Sequence, residues 1–394
     1  MKMTGMDVRL IVTPPPHAGG KLWYTVRIHT DEGIDGLGES MPHFAFAGME
    51  KSYRTLALCA YERWFSNRDP FDRDALMQAA YNEFCAGHPD MLGMSVLSAI
   101  EMAMWDICGK ALRRPVCDLL GGAHRKRLRA YSYISYDDMR ANGKNYADLV
   151  GDPALVRERA LEMAEMGFTA LKIDPLEYRI PLGSQPQKPY PLEREDFRRT
   201  HAVLDALKDA VGESCDILIG THGQMTTAGA IRYAKHLECY DPLFYEEPVP
   251  PGNMEEMARV QRATSIPIAA GERIMTVYEA SCAVECGALA VLQPDLGTCG
   301  GITQAYRMAA VAQSHFATLS PHLWGGPILT SAAIQLSLSI PNFLIQECIL
   351  TADGFYRTIA PHMPRWEKGY LYPSGGVGLG VELDEKTLEQ YLLH

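Results

Sequence analysis

The sequence predicts a (β/α)8-type barrel with an α+β capping domain, and three observations carry that prediction. Eight short apolar runs recur from residue 129 onward, and stretches with helical periodicity separate them. Ionisable residues stand where many of these runs stop. Residues 1–125 lack this alternation and combine strand-like alternating runs with long helical patterns.

In the N-terminal part, Leu22-Trp23-Tyr24-Thr25-Val26-Arg27-Ile28 reads as part of an antiparallel meander, and a helix is predicted over 94–112, closing at Arg113-Arg114-Pro115. Residues 1–125 are therefore assigned to the cap, 126–372 to the barrel, and 373–394 to a tail that returns to the cap as a turn, a short strand and a last helix. The barrel strands are predicted in the runs 129–134, 169–173, 217–220, 243–248, 266–272, 289–295, 316–320 and 343–346. One connecting helix carries its full punctuation: Asp152 as N-cap, Pro153 in the first turn, an amphipathic run over 154–166, and Gly167 as terminator. Similar helices fit 196–211, 225–238, 253–264, 276–287 and 300–314. The segment 175–195 has five prolines and no periodicity, which predicts a functional loop, a lid or wall over the rim.

Composition narrows the function classes. A chain of 394 residues supports a core without covalent staples, and its ten cysteines contain no CxxC pair, as expected of a reduced cytoplasmic protein. The net charge of −11 and the shortness of the basic clusters Arg113-Arg114 and Arg125-Lys126-Arg127 argue against nucleic-acid binding. No signal core is present and no run approaches membrane-spanning length, so no membrane partner is expected.

The chemistry lies in the residues at the strand ends. Glu246 and Glu272 are 26 residues apart (272 − 246), and the same stride backward (246 − 26) reaches Gly220. The full series runs Lys172, Asp174, Gly220, His222, Glu246, Glu272, Asp295, His322 and Glu347. Carboxylates crowded on one rim repel one another and lose solvation, a cost that a bound cation or a proton-transfer role offsets. His222 lies two residues past Gly220, so an extended chain points both the same way.

Several motifs accompany the series: Gly36-Leu37-Gly38-Glu39, Ser98-Ala99-Ile100-Glu101-Met102-Ala103-Met104-Trp105-Asp106, Glu246-Glu247-Pro248, Gly271-Glu272, Gln293-Pro294-Asp295, Pro321-His322 and Gly378-Leu379-Gly380. On these the chain resembles the enolase superfamily, in its mandelate racemase subgroup, and most of all the acid-sugar dehydratases of the mannonate and galactonate type. The resemblance implies removal of the proton α to a carboxylate, with Mg²⁺ stabilising the enediolate and the β hydroxyl leaving as water. It places Glu246 and Glu272 on the second and third metal-ligand positions. His322 and Asp295 fall on a His-Asp dyad, and His222 on a second acid or base. Of the two histidines, the reading favours His322 as acid and His222 as base.

Lys172 matches the first lysine of the family's Lys-x-Lys pair, and Asp174 replaces the second. Glu347 falls near the substrate carboxylate or the enediolate oxygen, as a protonated donor or as an ionised partner. Trp324, Arg179 and the cap loop 13–20 are expected to set specificity for a sugar acid, and the family implies an even-numbered homo-oligomer. Gly220 stands where the family has an Asp ligand. Water, His222 or Asp174 would then complete the shell. The alternatives to dehydration are a cycloisomerase or epimerase on the same enediolate, or a non-catalytic relative with a degraded metal site.

Overall fold

In the computed structural model, described over residues 1–41, 48–134, 146–177 and 189–393, the chain opens with an antiparallel sheet of β1 (Met3–Val12), β2 (Leu22–Thr30) and β3 (Gly36–Ser40) in that order. Helices Glu50–Ala60, Arg73–Phe84 and Met91–Leu112 complete the cap. The last of these presses against β3 so closely that a Cβ on Gly38 would sit 1.8 Å from the Ala99 carbonyl oxygen. Only glycine permits that approach, which explains the Gly-x-Gly motif. The helix spans 22 residues and is long and apolar enough to cross a bilayer, which corrects the expectation that no run approaches that length. Its burial inside the cap gives those residues another use: they are its core.

Eight parallel strands follow: β4 (Leu128–Tyr133), β5 (Ala170–Ile173), β6 (Asp216–Gly220), β7 (Phe244–Glu246), β8 (Ile268–Ala270), β9 (Val291–Leu292), β10 (Thr318–Leu319) and β11 (Gln346–Glu347). Each pairs with the next from β4 to β10. The last strand closes the ring. Leu344 N–H bonds the Leu319 carbonyl at 2.8 Å on one side, while Gln346 and Glu347 pair with Ala130 and Tyr131 on the other. Inside, Tyr131, Ala170, Leu218, Phe244, Ala269, Val291 and Ile345 pack into a separate apolar plug, so the barrel is filled below its rim. The predicted helix punctuation is present: Asp152 accepts from Ala154 N–H at 2.9 Å, and Pro153 starts the helix Pro153–Glu165.

Buried cap carboxylates join the two parts by capping barrel helices. Glu101 accepts from Ile302 N–H at 2.7 Å and Thr303 N–H at 3.0 Å, at the start of Gly301–Ser314. Glu39 accepts from the N–H groups of Gly326 and Leu329 at the start of Pro327–Ser339. Both satisfy orphan helix donors at the positive end of the dipole.

The tail contains no strand of its own among the described residues, contrary to expectation. Gly375, Gly378 and Gly380 take positive φ and interrupt any extended run, leaving single bridges from Gly378 to Pro115 and from Leu392 to Ile11 before and after the helix Glu385–Leu388.

Asp106, also on the long cap helix, ties this tail down. It accepts from Leu37 N–H at 3.0 Å and Leu379 N–H at 2.9 Å, and pairs with Lys110 Nζ at 2.6 Å. Asp106→Ala is expected to destabilise the protein by about 3 kcal/mol, because two buried amides and an ammonium lose their partner. Urea unfolding followed by circular dichroism measures this; a loss below ~1 kcal/mol contradicts the tie.

Candidate active site

The strand-end residues gather on the C-terminal rim. Lys172 lies on β5, Gly220 ends β6, Glu246 ends β7 and Glu347 ends β11; Asp174, His222, Glu272, Asp295 and His322 lie in the first residues beyond their strands. A bridge between Asp295 and His322 continues the β9–β10 pairing onto the rim. Lys172, Asp174, Glu246, Glu272, Asp295 and Glu347 are all buried. Such burial of charge persists only where the groups satisfy one another.

Two histidine-carboxylate pairs face the barrel mouth. His322 Nδ1 lies 2.6 Å from Asp295 Oδ2, which leaves Nε2 toward the site, 3.3 Å from Glu272 Oε2. His222 Nδ1 lies 3.3 Å from Asp174 Oδ2, whose position Gln224 Nε2 (2.5 Å) and Leu176 N–H on Oδ1 (2.9 Å) fix further. His222 belongs to the third barrel strand and His322 to the seventh, while Asp174 and Asp295 belong to the second and sixth. Four places apart in a ring of eight is the opposite side, so the two dyads confront each other across the mouth.

Burial works against charge on both rings, but their carboxylate neighbours outweigh it. Glu272, Glu347 and the bond to Asp295 raise the His322 pKa to about 10, and the bond to Asp174 with the charges of Asp174 and Glu272 raises His222 to about 9. Burial also opposes ionisation of Glu272, which the charges of His322, His222, Arg273 and Lys172 reverse, holding it at about 2. The side chain of His222 is 38% exposed and that of His322 12%, so His222 is the more open to solvent.

Lys172 stands at the centre of the remaining charge. Its Nζ lies 2.6 Å from Glu246 Oε1 and 3.2 Å from Glu347 Oε1. The other oxygens are engaged as well: Gln293 Nε2 donates to Glu246 Oε2 at 2.7 Å and Leu323 N–H to Glu347 Oε2 at 3.0 Å. Glu347 is thus engaged at both oxygens. Although burial disfavours the ammonium, Glu246 and Glu347 raise its pKa above the usual lysine range.

The space beside Gly220 is filled, and by neither side chain the sequence suggested. A Cβ there would sit 2.3 Å from Tyr133 Oη and 2.8 Å from Lys172 Cε. Asp174 and His222 bind each other instead. Tyr133 carries no signal as a site residue in the sequence beyond its place on the predicted first strand, two residues from interior Tyr131. Gln224 and Gln293 escaped notice too, because amides lack the charge that marked their neighbours. Trp324 is half-buried beside the cap loop: a Cβ on Gly20 would lie 3.2 Å from its Nε1. Arg179 and most of the proline-rich segment lie outside the described residues.

The family assignment follows from the matches to both halves of this architecture. Residues 155–387 match the family described as enolase C-terminal domain-like, and residues 19–121 match the mandelate racemase / muconate lactonizing enzyme N-terminal domain. The chain belongs to the enolase superfamily. A D-galactonate dehydratase from Cronobacter sakazakii is 32% identical to this superfamily member, over 93% of the chain and 90% of the relative. A D-gluconate/D-galactonate dehydratase from Picrophilus torridus is 29% identical over 93% and 88%. A solved mandelate racemase/muconate lactonizing enzyme from Jannaschia sp. CCS1 superposes with a TM-score of 0.91 at 34% identity, covering 100% of this chain and 98% of that one.

Dehydratases of the enolase superfamily depend on a divalent metal, and the donors here fit one in reduced form. Glu246 and Glu272 offer hard carboxylate oxygens on neighbouring strands, suited to an ion that keeps several waters. The buried Gln293 Oε1, on the amide that holds Glu246, has no hydrogen-bond partner among the described residues and adds an uncommitted oxygen nearby. Among the described residues, Asp174, Glu177 and His222 form a second potential ligand group, their ligand atoms within 4.8 Å of one another.

Proposed function

We propose that this chain is a hydro-lyase that dehydrates a sugar acid, a monocarboxylate of the aldonate class, to its 2-keto-3-deoxy product. The opposed His-Asp dyads carry the reading: removing a proton from one carbon and delivering one to the hydroxyl leaving its neighbour requires a base and an acid on opposite sides of the substrate. The dehydratase relatives, alike over nine-tenths of the chain, support the same reaction class.

Lys172 pairs with the substrate carboxylate in this reading, and Glu347 holds the lysine in place. Glu246 and Glu272 would hold the ion, taken as Mg²⁺, which when bound supplies positive charge where the enediolate oxygens become negative. His222, the more exposed ring, accepts the α proton on Nε2 when it is in its neutral form, while Asp174 fixes its orientation. His322, seated on Asp295, donates its Nε2 proton to the departing β hydroxyl, which leaves as water. The enol then tautomerises to the ketone. Trp324 and the cap loop wall the distal end of the sugar chain. The ten free thiols support a reduced, cytoplasmic setting, and a homo-oligomer is proposed with them.

Incubation with D-galactonate, D-gluconate and their epimers, with Mg²⁺ present, tests the proposal through formation of a 2-keto-3-deoxy acid. Opposed bases also suit epimerisation, and an epimer with no dehydrated product would favour that second reading.

A further inference from the structure

We propose that the Lys172 ammonium is a built-in rival of the metal ion: it pairs with Glu246 and must leave that carboxylate before a cation binds there. This rests on the assignment of Glu246 and Glu272 as metal ligands, and it concerns how the ion enters.

Three observations converge on it. Lys172 Nζ is 2.6 Å from Glu246 Oε1, while Gln293 occupies Oε2, so both oxygens of the carboxylate are already engaged. The glycine at the first-ligand position removes one negative charge, which leaves two carboxylates to attract the ion with an ammonium attached to one of them. The vacated space is also closed. Tyr133 Oη and Lys172 Cε stand 2.3 and 2.8 Å from where a Cβ on Gly220 would lie. The tyrosine hydroxyl and the lysine stem occupy what an aspartate side chain would use, so restoring the aspartate alone does not restore the ligand.

A second cation close to an ammonium in a buried site is strongly repelled, so ion and lysine exclude each other at Glu246. The substrate supplies the exchange partner: a carboxylate arriving at the mouth gives Lys172 somewhere to go, and Glu246 is then free for the ion. Metal binding and sugar-acid binding are thereby coupled, each favouring the other by the same factor.

The experiment titrates the purified full-length protein with Mn²⁺ alone, following the free ion by electron paramagnetic resonance, with circular dichroism as a check on folding. Lys172→Gln is expected to bind one Mn²⁺ at least roughly tenfold more tightly than wild type, since the competing charge is gone. Lys172→Met provides the same test should the glutamine variant fail to fold. Gly220→Asp alone is expected to leave affinity within about twofold of wild type, because the tyrosine hydroxyl and the lysine stem still fill the space beside it.

Unchanged or weaker affinity in a folded Lys172 variant overturns the proposal. So does tight binding by Gly220→Asp alone, or Mn²⁺ binding that His222→Asn abolishes and Lys172→Gln leaves untouched, which would put the ion at Asp174, Glu177 and His222. Sugar-acid dehydration is scored separately in wild type. Its absence alongside the expected Mn²⁺ pattern would remove the functional reading and leave the rivalry standing.

Discussion

His222→Asn is expected to lower kcat/KM for dehydration by on the order of 10²–10⁴. Asparagine keeps the polarity and approximate volume at the position yet cannot accept the α proton. His222 lies beside Gly220 and Tyr133, and its backbone takes a positive φ of 48°. Asparagine tolerates that conformation better than most residues, so the variant separates chemistry from folding. Steady-state assay with an accepted sugar acid provides the number. A loss under tenfold would mean that another group removes the proton.

The second large effect belongs to Asp295→Asn. The carboxylate accepts from His322 Nδ1 at 2.6 Å and from Gly297 N–H at 2.6 Å, which locks the ring with Nε2 toward the substrate and stabilises its charged form. An amide removes the charge and permits the other tautomer, a change that costs on the order of 10⁴ in a serine-protease dyad. A comparable loss is expected here, with KM little altered because Asp295 touches no substrate. Asp174→Asn is expected to cost less, since the His222 bond is longer at 3.3 Å and the ring is more exposed. Equal losses in the two variants, measured by the same kinetics, would argue against the distinct roles assigned to the two rings.

Much of the barrel and nearly all of its charged rim were legible in the sequence, for a shared reason. Parallel strands buried on both faces read as short apolar runs, and an ionisable residue directly after such a run has few places to go except the rim. The predicted strands were longer than those observed at β9 and β10, which span two residues each and continue onto the rim through the single bridge between Asp295 and His322. The helix Pro327–Ser339 is buried on every side, so it has no polar stripe to mark it by periodicity. What fills the space beside Gly220 was illegible too. It depends on Tyr133 and Lys172 arriving from two other strands, a three-dimensional encounter that spacing along one strand does not encode. The capping of barrel helices by Glu39 and Glu101 was hidden likewise, because acceptor and donors lie more than 200 residues apart.

The central claim, a base at His222 and a separate acid at His322, is tested most directly by ¹H NMR of an accepted sugar acid incubated with His322→Asn in D₂O. The account predicts that deuterium enters at the α carbon while no dehydrated product accumulates, because the base still acts and the leaving hydroxyl finds no proton. Absence of α exchange in His322→Asn, together with exchange retained in His222→Asn, would contradict it and reverse the two roles.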